Sequence, residues 1–202
     1  MTDHSEFLGE ISLCTDPGSP AYDSTTCTSW RGADTRMGNY GEFTGTLVGS
    51  PPRRGTYCRS EPEICATAML GAWQATTDAA EAAYDRTSAC SFTSFVAYEW
   101  TGTARANNLH RNVVFANRSV PAAPTSFVEA PSPEALWRAL DVGCNDTGTP
   151  CDVLAIPHNG NLGAGSMFVP VREDGAPYAR ADAARRRRLA PLIEIYQHKG
   201  SS

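Results

Sequence analysis

The sequence predicts an α/β protein in which strands alternate with helices around a parallel sheet or barrel. Three pairings carry that expectation. An Ala-rich helical stretch over 64–84 leads to an aromatic, β-branched run over 92–98. A proline-started helix over 132–140 leads to an apolar run over 152–157. A last helix over 181–189 leads to a run over 192–197. In each pair a strand is entered after a helix, the order of a crossover connection.

The elements follow in chain order. Residues 11–60 read as loop, because Pro17, Gly18, Pro20, Gly32, Gly38, Gly41, Gly45, Gly49, Pro51 and Pro52 break every period. An irregular stretch of this length is uncommon inside a compact domain, so stapling or a functional role such as a lid is expected for 11–60. Cys14, Cys27 and Cys58 are its candidate staples. From Glu61 a helical pattern begins, with Leu70, Trp73 and Ala80 on one face. The run over 92–98 reads as a buried strand ending in Glu99-Trp100-Thr101. A second short strand over 112–116 has His110-Arg111 just ahead of it. Ser132 is positioned as an N-cap with Pro133 at the first helical position. The third strand, 152–157, runs directly into His158-Asn159-Gly160-Asn161. The arginine run 185–188 is expected to coat the solvated side of the last helix.

At 202 residues the chain fits one domain with a real core. No apolar run approaches the roughly 18–20 residues that cross a membrane, and the first ten residues lack the basic-then-apolar pattern of a signal peptide. A net charge of −5 argues against nucleic acid as a partner. Seven cysteines without a C-x-x-C pair point away from zinc ribbons and thioredoxin chemistry. The spacings Cys58 to Cys65 and Cys144 to Cys151 suit short disulfide loops, and the count favours a periplasmic or secreted destination. Serine-hydrolase, sulfatase and nucleotide-binding readings find no G-x-S-x-G, C-x-P-x-R or G-x-G-x-x-G motif.

Four histidines are present: His4, His110, His158 and His198. Glu99 and His158 each close a predicted strand, and in parallel barrels the C-terminal strand ends carry the catalytic groups. Imidazole and carboxylate together are donors for Zn, Mn or Fe, although histidines at strand ends also serve as plain hydrogen-bonding groups.

The stretches T-D-H-S-E-F-L-G-E (2–10), F-V-A-Y-E-W-T-G-T (95–103), N-L-H-R-N-V-V-F (108–115), V-L-A-I-P-H-N-G-N-L (153–162) and L-I-E-I-Y-Q-H-K-G (192–200) resemble a bacterial family of unassigned function related to the PHP (polymerase and histidinol phosphatase) superfamily of metal-dependent phosphoesterases. The resemblance implies a distorted (β/α)7-type barrel with two or three divalent ions, Zn, Mn or Fe, at its strand ends. It implies His4, Glu99, His110 and His158 as ligands, Glu99 bridging, and Asp3 either orienting His4 or capping its turn. The activity implied is hydrolysis of a small-molecule phosphoester or related ester by a metal-bound hydroxide. Arg111, Asn159, Asn161 and Lys199, the only lysine, are candidate substrate contacts. Asn159 and Asn161 have a second reading as holders of a Gly-rich turn. Glu194 is either a further ligand or a packed, paired acid, and His198 reads as a neutral substitution.

Sites of the PHP type begin with H-x-H and close with Asp-x-His, and neither flanks these motifs. The expectation is therefore one incomplete domain over 1–202, weakly active or inactive by itself, with a non-catalytic binding or structural module as the alternative.

Overall fold

A computed structural model describes residues 2–32, 45 and 47–201. Its centre is a three-stranded sheet of β1 (Ala97–Trp100), β2 (Arg111–Phe115) and β3 (Val153–Pro157), in the order β1-β2-β3. Both pairings are antiparallel, with Glu99 opposite Asn112 and Asn112 opposite Ile156. β2 and β3 lie where the β-branched runs place them, whereas the expected buried strand over 92–98 begins only at Ala97 and leaves Phe92 and Phe95 exposed, and the parallel arrangement is overturned. The β1–β2 link, with one 3-10 turn at Ala104–Ala106, is too short for a helical crossover, so β2 turns back along β1. The described residues form this open sheet and no closed barrel.

Side chains alternate across the sheet. Tyr98, Trp100, Val113, Phe115, Val153 and Ala155 are buried on one face. That face meets α4 (Pro62–Ala83), α5 (Pro133–Leu140) and α6 (Arg180–Leu189) through Trp73, Leu136, Trp137, Leu140 and Leu189. Trp73 meets Tyr98 edge-on at 5.7 Å between centroids, and Trp100 meets Phe127 likewise at 5.4 Å. The Trp73 and Trp100 indole N–H groups donate to Pro121 O (2.9 Å) and Ala130 O (3.0 Å). Leu70, expected beside Trp73, is exposed.

The helix ends obey the expected chemistry. Ser132 caps α5 by accepting from Ala135 N at 3.1 Å, with Pro133 at the first position. The arginine run is less solvated than predicted. Arg185 Nε donates to Asp141 Oδ2 at 2.9 Å and Arg188 also holds Asp141, fastening α6 to the π-turn (Asp141–Asn145) that follows α5. Past α6 the expected strand is reduced to a hairpin of β4 (Tyr196–Gln197) and β5 (Gly200–Ser201). Pro191 lacks the N–H a ladder needs, and only Glu194 N, donating to Pro157 O at 3.1 Å, ties this stretch to β3.

The stretch 11–60 is not simply irregular. It holds the end of α1 (Leu8–Thr15), all of α2 (Thr25–Trp30) and α3 (Thr56–Ser60); residues 33–44 and 46 of it, with Gly38 and Gly41, lie outside the described residues. Leu13, Ala21 and the disulfides Cys14–Cys27 and Cys58–Cys65 build a second small core against α4. Gly9 allows the close approach of α1 to α4, since a Cβ there would stand 2.4 Å from Cys65 O. A third disulfide joins Cys144 to Cys151, and Cys90 is free and exposed. Three disulfides fit an extracellular or periplasmic protein. Among the described residues no helix is long and apolar enough to cross a membrane.

Candidate metal centre

In the antiparallel sheet the end of β1, the start of β2 and the end of β3 fall side by side. Glu99, His110 and His158 stand at these three places, on the face opposite the helices. Residues 2–4 run along the outer edge of β1: His4 forms a parallel bridge with Glu99, and Glu99 N donates to Asp3 O at 2.8 Å. Three imidazoles from separate parts of the chain thus converge on one carboxylate oxygen. Glu99 Oε1 lies 2.8 Å from His110 Nδ1, 3.5 Å from His4 Nδ1 and 3.9 Å from His158 Nε2. Ligand atoms of His4, Glu99 and His110 all lie within 4.8 Å of one another.

Surrounding groups hold each member in place. His4 Nδ1 meets Thr101 Oγ1 at 2.7 Å, and His158 N donates to His110 O at 3.1 Å, which keeps β2 and β3 in register past their ends. Gln197 Nε2 lies 3.4 Å from His158 Nδ1, on the ring edge away from Glu99. His4 is the open wall: its side chain is 58% exposed, against 11% for Glu99, 15% for His110 and 7% for His158.

The electrostatics suit ligation. Burial alone would raise the pKa of Glu99. The hydrogen bond from His110 and the neighbouring His4 and His158 outweigh it and hold the carboxyl below its ordinary range. Burial pushes His158 below the ordinary imidazole range, against the pull of Glu99 and Glu194, so its ring is neutral with a lone pair to offer. His4, Glu99 and His110 offer donors of the kind Zn, Mn or Fe take, with His158 at the edge of the group, 3.9 Å from the carboxylate.

Other predicted site residues stand elsewhere. The Asp3 side chain is exposed and its part in the site is its backbone carbonyl, while Thr101 contacts the His4 ring. Arg111 is opposite Trp100 in the sheet, so it points away from Glu99 into the helix-covered face, where it is 2% exposed. Burial and the nearby Arg186 lower its pKa to about 9. Asn159, Asn161 and Lys199 are engaged with one another. The Asn159 amide donates to Gly200 O at 2.8 Å, the Asn161 amide to Lys199 O, and Lys199 Nζ to Asn161 O at 2.9 Å. They tie the turn after β3 to the β4–β5 hairpin, which is the turn-holding reading. Glu194 takes its paired reading: it accepts from Asn159 N at 3.2 Å and from the Gln197 amide at 3.3 Å. His198 is exposed in the β4–β5 turn.

Sequence reasoning passed over Glu6, which positions the site. Its fully buried Oε1 accepts from Thr101 N and from Phe127 N, both at 2.9 Å, and Arg54 donates to its backbone carbonyl. Those bonds set the His4 segment against the end of β1. The available signal was its place two residues after His4 in T-D-H-S-E.

Fold and site together define a disulfide-stapled mixed α/β domain with a three-histidine, one-glutamate cluster at one end of its sheet. The family model described as "Protein of unknown function (DUF3604)" matches residues 1–202, and the chain belongs to that family. No curated protein and no solved structure matches it.

Proposed function

We propose that this chain carries the metal centre of a divalent-metal-dependent hydrolase that acts on a small-molecule phosphoester or related ester in the periplasm or outside the cell. The observation that carries this reading is the convergence of His4, His110 and His158 on Glu99 Oε1. The relation to PHP-type phosphoesterases of the family that the five motifs resemble supports the reaction class, and the disulfides support the location. The reading rests on the cluster and needs no closed barrel.

His4, His110 and His158 would hold the ion through ring nitrogens and Glu99 through its carboxylate. A bound divalent ion supplies Lewis acidity for the ester oxygen and acidifies a water. This chain's own residues supply the setting. Glu99 stays ionised beside the three rings, and neutral His158 offers its lone pair without first releasing a proton. Thr101 and the Glu6 contacts keep the His4 ring at the open side, where a substrate enters.

Elemental analysis of the purified chain tests the reading. About one or more equivalents of Zn, Mn or Fe are expected, with the content lost in His158→Ala and Glu99→Gln. Chelator-sensitive turnover of p-nitrophenyl phosphate or a related ester then supports hydrolysis. Metal without turnover of any ester would mark a binding module, and no metal in a folded chain would overturn the centre itself.

A further inference from the structure

The helix-covered face of the sheet holds a second polar site that the metal reading does not use. Arg111 is 2% exposed, and among the described residues no carboxylate lies within ion-pair distance of it. One of its terminal nitrogens donates to Leu109 O, and its guanidinium lies 5.6 Å from the Trp100 ring and 5.7 Å from the Trp137 ring. Its Nε–H has no acceptor. Neither has the buried indole N–H of Trp137. Both residues line one cavity of about 270 Å³, together with Arg186, Phe168, Leu192 and Ile193, and its walls hold two arginines and no acid. Arg186 stacks over Phe168 at 5.7 Å and donates to Val169 O at 3.3 Å, so it too lacks an anionic partner among the described residues.

Buried donors without acceptors are rare, and a buried unpaired charge is costlier still. Two residues that carry such donors lining one space, beside a second guanidinium, favour a group that accepts hydrogen bonds and carries negative charge. Carboxylates and phosphates meet that description, and a guanidinium edge matches both. The apolar walls suit a carbon body behind the charged head. We propose that this cavity binds a small organic oxyanion, its carboxylate or phosphate head at the Arg111, Trp137 and Arg186 side and its apolar body against Phe168, Leu192 and Ile193.

Calorimetric titration of the 202-residue chain with benzoate, phenyl phosphate and inorganic phosphate, at constant chloride, tests this. Saturable binding of benzoate or phenyl phosphate is expected, and the tighter of the two identifies the head group. Arg111→Met should weaken it by about 50-fold and Trp137→Phe, which removes one N–H and little volume, by about tenfold. His158→Ala should bind as the native chain does, which separates this cavity from the metal cluster. The proposal is overturned if neither organic anion binds saturably, if Trp137→Phe and a folded Arg111→Met both bind unchanged, or if His158→Ala abolishes binding. It is equally overturned if inorganic phosphate binds as tightly as phenyl phosphate, since the apolar walls would then recognise nothing.

Discussion

Glu6 and Glu10 sit one helical turn apart and are both buried, yet they act in opposite senses. Glu6 accepts two backbone N–H groups that would otherwise be stranded, so Glu6→Ala should cost about 1–3 kcal/mol for each donor left unpaired. Urea unfolding measures that loss, and because the same bonds seat His4, metal stoichiometry should fall with it. Glu10 is a liability at neutral pH. Burial raises its pKa, outweighing the Arg54 charge 3.5 Å away, and its Oε1 has no hydrogen-bond partner. The fold therefore holds the Glu10 proton more tightly than the unfolded chain does. As pH rises past the ordinary glutamate value of 4.5, the unfolded chain releases its proton first, and stability declines until the folded-state value is passed. Glu10→Gln keeps the neutral shape. It should raise the melting temperature at pH 7 and leave it unchanged below about pH 4, where the native residue is protonated in both states. Equal melting temperatures at pH 7 would show that Arg54 compensates the burial in full.

Among the elements, strand positions were legible and strand directions were not. The runs at 112–116 and 152–157 are apolar and β-branched enough to mark themselves, and the run at 92–98 marks its strand five residues early, but a strand's side chains do not encode which way its neighbour runs. The readable clue was the short link from Thr101 to His110, which excludes a helical crossover. This detail bears on chemistry. A parallel sheet would carry His110, which precedes its strand, to the end far from Glu99, whereas the antiparallel turn brings it to 2.8 Å. The short helices within 11–60 were illegible because they lack an amphipathic period; their packing relies on disulfides as much as on apolar area. The Cys14–Cys27 bond links α1 to α2 across 13 positions. Cys14→Ser with Cys27→Ser should cost about 3 kcal/mol, on the order of 10 °C in melting temperature. Metal content should survive, because His4 is seated by Glu6 and Thr101. Loss of metal in that double variant would make the helical layer part of the site.

For the molecule as a whole, the sheet separates two chemistries: a histidine and glutamate cluster on one face, and on the other an aromatic core with two arginines that have no carboxylate partner among the described residues. Strand-end residue types alone were enough to single out Glu99 and His158. They were not enough for Arg111, because a one-residue step along a strand changes the face, and Arg111 follows His110 directly. Nor could they give Gln197, whose role exists only once the hairpin folds back on His158. The cluster also has a consequence for global stability. Its members come from the chain start, β1, the approach to β2 and the exit of β3, so unfolding anywhere in the sheet disperses them. An ion held by all four binds the folded chain and has far less affinity for the unfolded one, and stabilisation then follows mass action, about 2.7 kcal/mol at a hundredfold excess over Kd. The melting temperature should therefore climb with the logarithm of free Zn, Mn or Fe concentration. In His158→Ala that slope should flatten, even though removing this buried imidazole leaves the opposite face untouched. A melting temperature indifferent to all three ions would mean that Glu99 and its histidines close only on one another, as a hydrogen-bonded clasp between the N-terminal segment and the sheet.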